Sequence, residues 1–290
     1  MFKSIELDLR KDTKNMTQGL SADRYIAQRL SPKSRYRAFP EAQYIINHQY
    51  KFIYNPIPKV ASTSIKQAII ALTDIQKAAL DNEYMHYYAA NRLSLGIYHY
   101  EDAERFLQDS RYWKFVLIRN PWTRAISGYI SKFVHPLTNQ LPYFSQKVVE
   151  QIYNDLNLEP DWQKTITFRQ FVKYLARTED KRLDFHWKPQ YLFLSQNYTF
   201  DFIGQFENLE QDFNYIQQKL GVKIELPWRN KEYEKVEVSR GAKEFFDYYP
   251  SELKQLPDMP LYRQFYNPEL IDLVGERYAK DIAMFNYKFN

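Results

Sequence analysis

Apolar residues along this chain fall into short continuous runs that alternate with longer stripes at helical spacing. "YKFIYNPI" (Tyr50–Ile57) is an aromatic and β-branched run interrupted by Pro56, with Pro58 just beyond, which predicts a buried strand. "STSIKQAIIALTDI" follows, with Ile65, Ile69 and Leu72 at helical spacing behind hydroxyl residues suited to cap a helix. "LSLGIYHY" (Leu93–Tyr100) reads as a second strand and "EDAERFLQDS" as a helix. "YWKFVLIRN" (Tyr112–Asn120) is the continuous apolar run expected of a strand covered on both faces. "PWTRAISGYISKF" then predicts a helix with Pro121 in its first turn and Trp122, Ile126, Tyr129 and Phe133 on one stripe.

Beyond it the character changes. Residues 134–200 hold two amphipathic stretches, "QKVVEQIYNDL" and "TFRQFVKYLART", amid polar loops, and read as a helical insertion or lid. "DFIGQFENLEQDFNYIQQKLG" returns to strand, Asn208 cap, helix and terminal Gly221. "NPELIDLVGERYAKDIAMFNY" predicts one helix from Pro268, with Ile271, Val274, Tyr278, Ile282 and Phe285 facing inward. Residues 1–45 are polar and basic and read as an arm packed on a single domain spanning 46–290. Strand–turn–helix units in series predict an α/β fold with a central parallel sheet.

Composition narrows the function classes. The 290 residues contain no cysteine, which excludes disulfides, Cys-ligated zinc and a cysteine nucleophile. Formal charge is +5, with the Lys and Arg spread along the chain, so a nucleic-acid partner is not expected. The beginning, "MFKSIELDLRKDTK", lacks the apolar core of a signal peptide, and no run is long enough for a membrane span. The expected location is the cytoplasm.

The candidate chemistry sits at the strand-to-helix turns. A strand running straight into a helix aims free backbone N–H groups and a positive dipole end at whatever lies over the turn. In "NPIPKVASTSIK" that turn carries Lys59, then Ala61, Ser62, Thr63 and Ser64, a set suited to a tetrahedral anion. Ser64 is equally suited to capping alone. The glycines of a nucleoside-triphosphate loop are absent. The second turn, "IRNPWTRAISGY", places Arg119 at a strand end and Ser127 eight residues on. Ligands of parallel sheets gather at the carboxyl ends of strands. Two anion grips on one rim suit a nucleotide phosphorylated at both ends.

These segments resemble sulfotransferases that use 3′-phosphoadenosine 5′-phosphosulfate (PAPS). "IPKVASTSIK" is similar to their 5′-phosphosulfate loop and "IRNPWTRAISGY" to their 3′-phosphate segment. "DFHWKPQ…YTFDFIGQFENLEQDF" and "ERYAKDIAMFNY" resemble blocks of the carbohydrate branch that acts on chondroitin and related glycans. The animal members are anchored, disulfide-bonded Golgi proteins, so the cysteine-free chain looks more like soluble bacterial relatives. The resemblance implies a P-loop-like, three-layer α/β/α fold, with residues 134–200 forming part of an acceptor wall. It implies sulfuryl transfer from PAPS to an acceptor hydroxyl, on a carbohydrate or another hydroxyl compound, without a metal.

By the same resemblance, Lys59 contacts the bridging oxygen of the phosphosulfate, and residues 61–64 hold the 5′-phosphate. Arg119 and Ser127 bind the 3′-phosphate. Arg124 matches a family arginine, as a ligand or as an ion pair holding the fold. Arg240, in "SRGAKEFF", is faintly similar to a further 3′-phosphate segment. Transfer needs a base, and two of the five histidines stand out. His99, in "GIYHYEDAERF", resembles the base-bearing strand of a heparan branch. His186, in "DFHWKPQ", matches the chondroitin-type block, as base or as a loop-holding residue. Glu101 is a further option. Two other readings stay open: a nucleotide-dependent kinase on a similar fold, and a non-catalytic module that binds anionic glycans.

Overall fold

The computed structural model describes residues 38–73, 82–137, 140–227 and 243–289. Four strands form one sheet in the order β1-β2-β3-β4. They are β1 (Ile45–Asn47), β2 (Phe52–Asn55), β3 (Trp113–Ile118) and β4 (Phe202–Gln205). β2, β3 and β4 are parallel, with Tyr54 opposite Phe115 and Phe115 opposite Phe202. β1 is antiparallel to β2, pairing Ile45 with Tyr54. The sheet is therefore mixed rather than wholly parallel, because the chain doubles back at His48–Lys51 before entering β2.

Each parallel strand feeds a helix on the same rim. β2 leads to α1 (Ser62–Ile70), β3 to α4 (Pro121–Tyr129), and β4 to α7 (Leu209–Leu220) through a short 3-10 turn. Between α1 and β3 lie α2 (Asn82–Tyr88) and α3 (Tyr100–Gln108). The helices α5 (Tyr143–Asp155) and α6 (Phe168–Arg177) fall in the predicted amphipathic stretches. The chain closes with α8 (Pro250–Leu253), α9 (Pro268–Arg277) and α10 (Ala279–Phe285).

Alternation along β2 divides the packing. Phe52 and Tyr54 join Phe115 and Leu117 against Ile65 and Ile69 of α1 and Phe213 and Ile216 of α7. Ile53 packs instead with Ile46, Leu95 and with Ala103 and Leu107 of α3. A third cluster is helical: Trp122, Ile126, Tyr129 and Phe133 pack with Val149, Phe171, Trp187, Leu270 and Val274.

Local signals explain most boundaries. Asn120 caps α4 by accepting from the Trp122 amide, with Pro121 next. Gly221 ends α7 at φ +64°, the left-handed C-cap. Two expectations are corrected. Leu93–Tyr100 is not a strand: Leu95–Ile97 form a 3-10 turn, while Ser94 bridges to Ile45 at the edge of β1. The terminal helix is two helices, broken where Tyr278 leaves helical geometry (φ −110°) and its hydroxyl donates to the Trp187 carbonyl at 2.6 Å.

Candidate functional site

The loop from β2 to α1 turns twice through left-handed backbone without glycine. Lys59 has φ +68° and Ala61 φ +48°, a conformation costing a side-chain-bearing residue about 1–2 kcal/mol. Such strain persists where surroundings over-determine it. Here two arginines do so: Arg124 Nε donates to the Pro58 carbonyl at 3.0 Å, and Arg119 Nη1 to the Lys59 carbonyl at 3.2 Å. Helix α1 opens without a side-chain cap, so the first-turn amides of Ser62, Thr63 and Ser64 are donors that an anion could use.

Lys59 Nζ donates to Ser131 Oγ at 2.7 Å. Burial, then the charges of Lys132, Arg119 and Arg124, pull its pKa well below that of an ordinary lysine. A negative ligand would reverse that charge repulsion.

Arg119 leaves the end of β3 and is held on four sides. Its amide donates to Gln190 Oε1 and its carbonyl accepts from Gln190 Nε2, at 2.8 and 2.7 Å. Its Nε donates to Thr123 Oγ1 at 3.0 Å, and its guanidinium lies 4.1 Å from the Phe206 ring centre. Thr123 and Ser127 are one turn apart on α4, and Ser131 lies four residues beyond. A file of hydroxyls thus runs between the Arg119 and Lys59 side chains.

Arg124 is 2% exposed and donates to three backbone carbonyls, of Pro58, Lys188 and Phe185, at 3.0, 2.8 and 3.2 Å. It ties the β2–α1 loop to residues 185–188. That is a holding role, achieved through carbonyls rather than an ion pair.

The 184–191 segment carries His186. Its Nδ1 is 2.6 Å from Asp184 Oδ1, and its ring stacks on Phe144 with centres 5.0 Å apart. Burial pushes the Asp184 carboxyl up, but the His186 hydrogen bond and nearby charges hold it below the ordinary range. Asp281, fully buried on α10, accepts from the Gln190 and Tyr191 amides at 2.7 and 2.8 Å. His86, on α2, sits 3.3 Å from Lys66 Nζ. Its pKa is pushed down to about 3 by burial, then by Lys66, Lys132 and His186, which places it in the same charged neighbourhood.

Lys59, residues 61–64, Arg119, Ser127 and His186 are thus brought to one rim. His99 is not. It is exposed at the start of α3, and its neighbour Tyr98 reaches His48 (2.9 Å), beyond β1 where β2 and β3 begin. Glu101 is exposed on α3. Arg240 lies outside the described residues. Ser131, Thr123, Gln190, Asp184, Asp281 and His86 were not singled out from sequence. The spacing of Thr123, Ser127 and Ser131 was the readable signal for two of them. Among the described residues, no group of three or more His, Cys, Asp or Glu could hold a metal ion, and no helix is long and apolar enough to cross a membrane.

Comparison with known proteins gives the family of the chain. Residues 42–288 match the model of the sulfotransferase family. Carbohydrate sulfotransferase 14 of Danio rerio is 27% identical over 208 residues, covering 71% of this chain and 54% of the relative. Carbohydrate sulfotransferase 9 of Homo sapiens is 25% identical over 190 residues, 64% and 42% of the two chains. Carbohydrate sulfotransferase 8 of Mus musculus is 23% identical over 252 residues, 83% and 55%. The chain spans about half the length of these relatives. No solved structure matches. The chain belongs to the sulfotransferase family.

Proposed function

We propose that the protein transfers a sulfuryl group from PAPS to a carbohydrate hydroxyl, releasing adenosine 3′,5′-bisphosphate. The observation that carries this reading is the pairing of two cationic grips on one rim. Lys59 with the capless start of α1 and Arg119 with its hydroxyl file are joined by the 3.2 Å bond from Arg119 to the Lys59 carbonyl. In this reading the amides and hydroxyls of residues 61–64 hold the 5′-phosphate. Arg119, Thr123 and Ser127 hold the 3′-phosphate, for which a forked guanidinium is suited. The rim-and-helix plan serves as a P-loop-like cradle without its glycines, and α5, α6 and the 184–191 segment form the acceptor wall.

His186 is the base in this account. Asp184 fixes its Nδ1, and Nε2 is assigned to take the acceptor's proton. As the acceptor oxygen bonds to sulfur, the bond from sulfur to the bridging oxygen breaks. The electron pair stays on the bisphosphate, where Lys59 offsets the growing charge. His99 and Glu101 stand away from Lys59 and take no part.

Lys59→Ala tests the assignment. Transfer should fall by about 10²-fold or more while adenosine 3′,5′-bisphosphate still binds. Loss of binding without loss of turnover at saturation would contradict it.

A further inference from the structure

Two histidines of the charged rim have opposite partners. His186 Nδ1 faces the Asp184 carboxylate at 2.6 Å, which fits the base assigned above. His86 Nδ1 faces the Lys66 ammonium at 3.3 Å. An ammonium group only donates, so Nδ1 of His86 accepts and the neutral ring carries its proton on Nε2. Among the described residues, no group accepts from that Nε2. A cationic partner makes an imidazole less ready to take a proton. Burial and the charges of Lys66, Lys132 and His186 keep His86 neutral at neutral pH. It is therefore unsuited to be a second base; opposed environments for two titratable groups mark different roles. What His86 offers is a neutral N–H donor in one tautomer.

Its surroundings are those of the reaction. His86 is carried on α2, which packs on α1. Lys66 lies one turn beyond Ser62 on α1, the helix whose first turn is assigned to the 5′-phosphate. Helix α4 continues into a π-turn, Ile130–Val134, a widening of the helix frequent at functional sites. That turn presents Ser131 to Lys59 and carries Lys132 next. Lys132 is within electrostatic reach of Lys59, of Asp184 and of His86, and His86 is within reach of His186. In the proposed reaction Lys59 marks the leaving oxygen and His186 the accepting one. The sulfuryl group passes between them, and its non-bridging oxygens need donors on the way.

We propose that His86 is a further catalytic residue: its Nε2–H donates to a non-bridging oxygen of the transferring sulfuryl group and holds that group in line between the leaving and accepting oxygens. This rests on the sulfotransferase reading and adds a residue to it. No proton moves through His86, and the bonds made and broken stay those described above. A neutral donor orients the group without adding charge beside Lys59, Lys132, Arg119 and Arg124, whose mutual repulsion Lys59 already feels.

The test uses the full chain and two ligands that differ by the sulfuryl group alone, PAPS and adenosine 3′,5′-bisphosphate. Both are titrated calorimetrically into the wild type and His86→Ala. The variant should bind the bisphosphate as the wild type does and PAPS about fivefold or more weakly. Release of sulfate from saturating PAPS to water should fall about tenfold or more. His86→Gln, whose side-chain amide can place a donor near Nε2, should recover part of both losses. If His86→Ala does not fold, nitrogen NMR of the wild type decides, with the His86 signals assigned by their loss in His86→Gln. His86 should carry its proton on Nε2 at neutral pH, and that nitrogen should shift with PAPS and not with the bisphosphate. Equal weakening of both ligands, weakening of neither, or a proton on Nδ1 would overturn the inference. If the wild type binds the bisphosphate, such a result removes only the role of His86. If the wild type does not bind it, the sulfotransferase reading falls first.

Discussion

Arg124→Lys separates a charge from a fork. The wild-type guanidinium is 2% exposed and meets three carbonyls, on Pro58, Lys188 and Phe185, at 2.8–3.2 Å. A lysine keeps the positive charge, but its single nitrogen cannot reach groups that the fork approaches from two sides. At least one carbonyl, and at most two, would be left buried without a donor. Each such group costs about 1–3 kcal/mol, so the expected loss is about 1–6 kcal/mol. Urea unfolding should show a lower midpoint at an unchanged slope. Affinity for adenosine 3′,5′-bisphosphate should fall modestly, because Pro58 anchors the loop that carries Lys59. A variant within about 0.5 kcal/mol of wild type would refute the clamp, since ordinary surface changes fall in that range. Unchanged stability with a large loss of bisphosphate affinity would make Arg124 a ligand instead.

Further expectations concern the base, the half-buried His86 and the sheet. Asp184→Asn and His186→Ala should lower kcat by about 10²-fold or more while leaving bisphosphate affinity intact; normal kcat in either would remove His186 as base. His86 has its pKa pushed from 6.5 down to about 3, so the unfolded chain binds its proton first as pH falls. The stability of neutral His86 is therefore complete above pH 6.5 and lost between 6.5 and 3, by about 2 kcal/mol at pH 5. His86→Gln should flatten that part of the urea-midpoint profile, and identical profiles would contradict the assignment. Gly204→Ala would place a Cβ 2.3 Å from Leu117 Cδ2 and 2.9 Å from Asp212 Oδ2, costing about 1–3 kcal/mol in urea unfolding. A neutral result would mean that β3 and β4 pack less closely than described.

The sheet was legible where its strands are fully apolar. "FVLI" in β3 and "FIY" in β2 carry no polar break, and the turn residues after them, with Pro121, Asn208 and Gly221, mark the helices that follow. β1 was hidden because it is only three residues long and its reversal contains no glycine or proline. Leu93–Tyr100 misled because its apolar residues look like a strand; Leu95 packs against Ile46 and Ile53 from a 3-10 turn instead, with a single bridge from Ser94 to Ile45. That shift also moved His99 away from the rim. The residues proposed to bind the anions could be read from local spacing, since strand, turn and helix are contiguous. Its supports could not. Gln190 meets Arg119 across 71 positions and Asp281 meets Gln190 across 91, and no local periodicity records such pairings.

The central claim is a groove built for two phosphates. Calorimetric titration with adenosine 3′,5′-bisphosphate, beside AMP and ATP, on the wild type and on Arg119→Ala tests it most directly. The account predicts clear preference for the bisphosphate and a loss of about 10- to 100-fold in the variant, the worth of one or two charged hydrogen bonds. AMP, lacking the 3′-phosphate, should lose less in the variant than the bisphosphate does, because Arg119 also holds the Lys59 carbonyl. Binding of ATP as tight as that of the bisphosphate, or a variant that still prefers the bisphosphate, would contradict the claim.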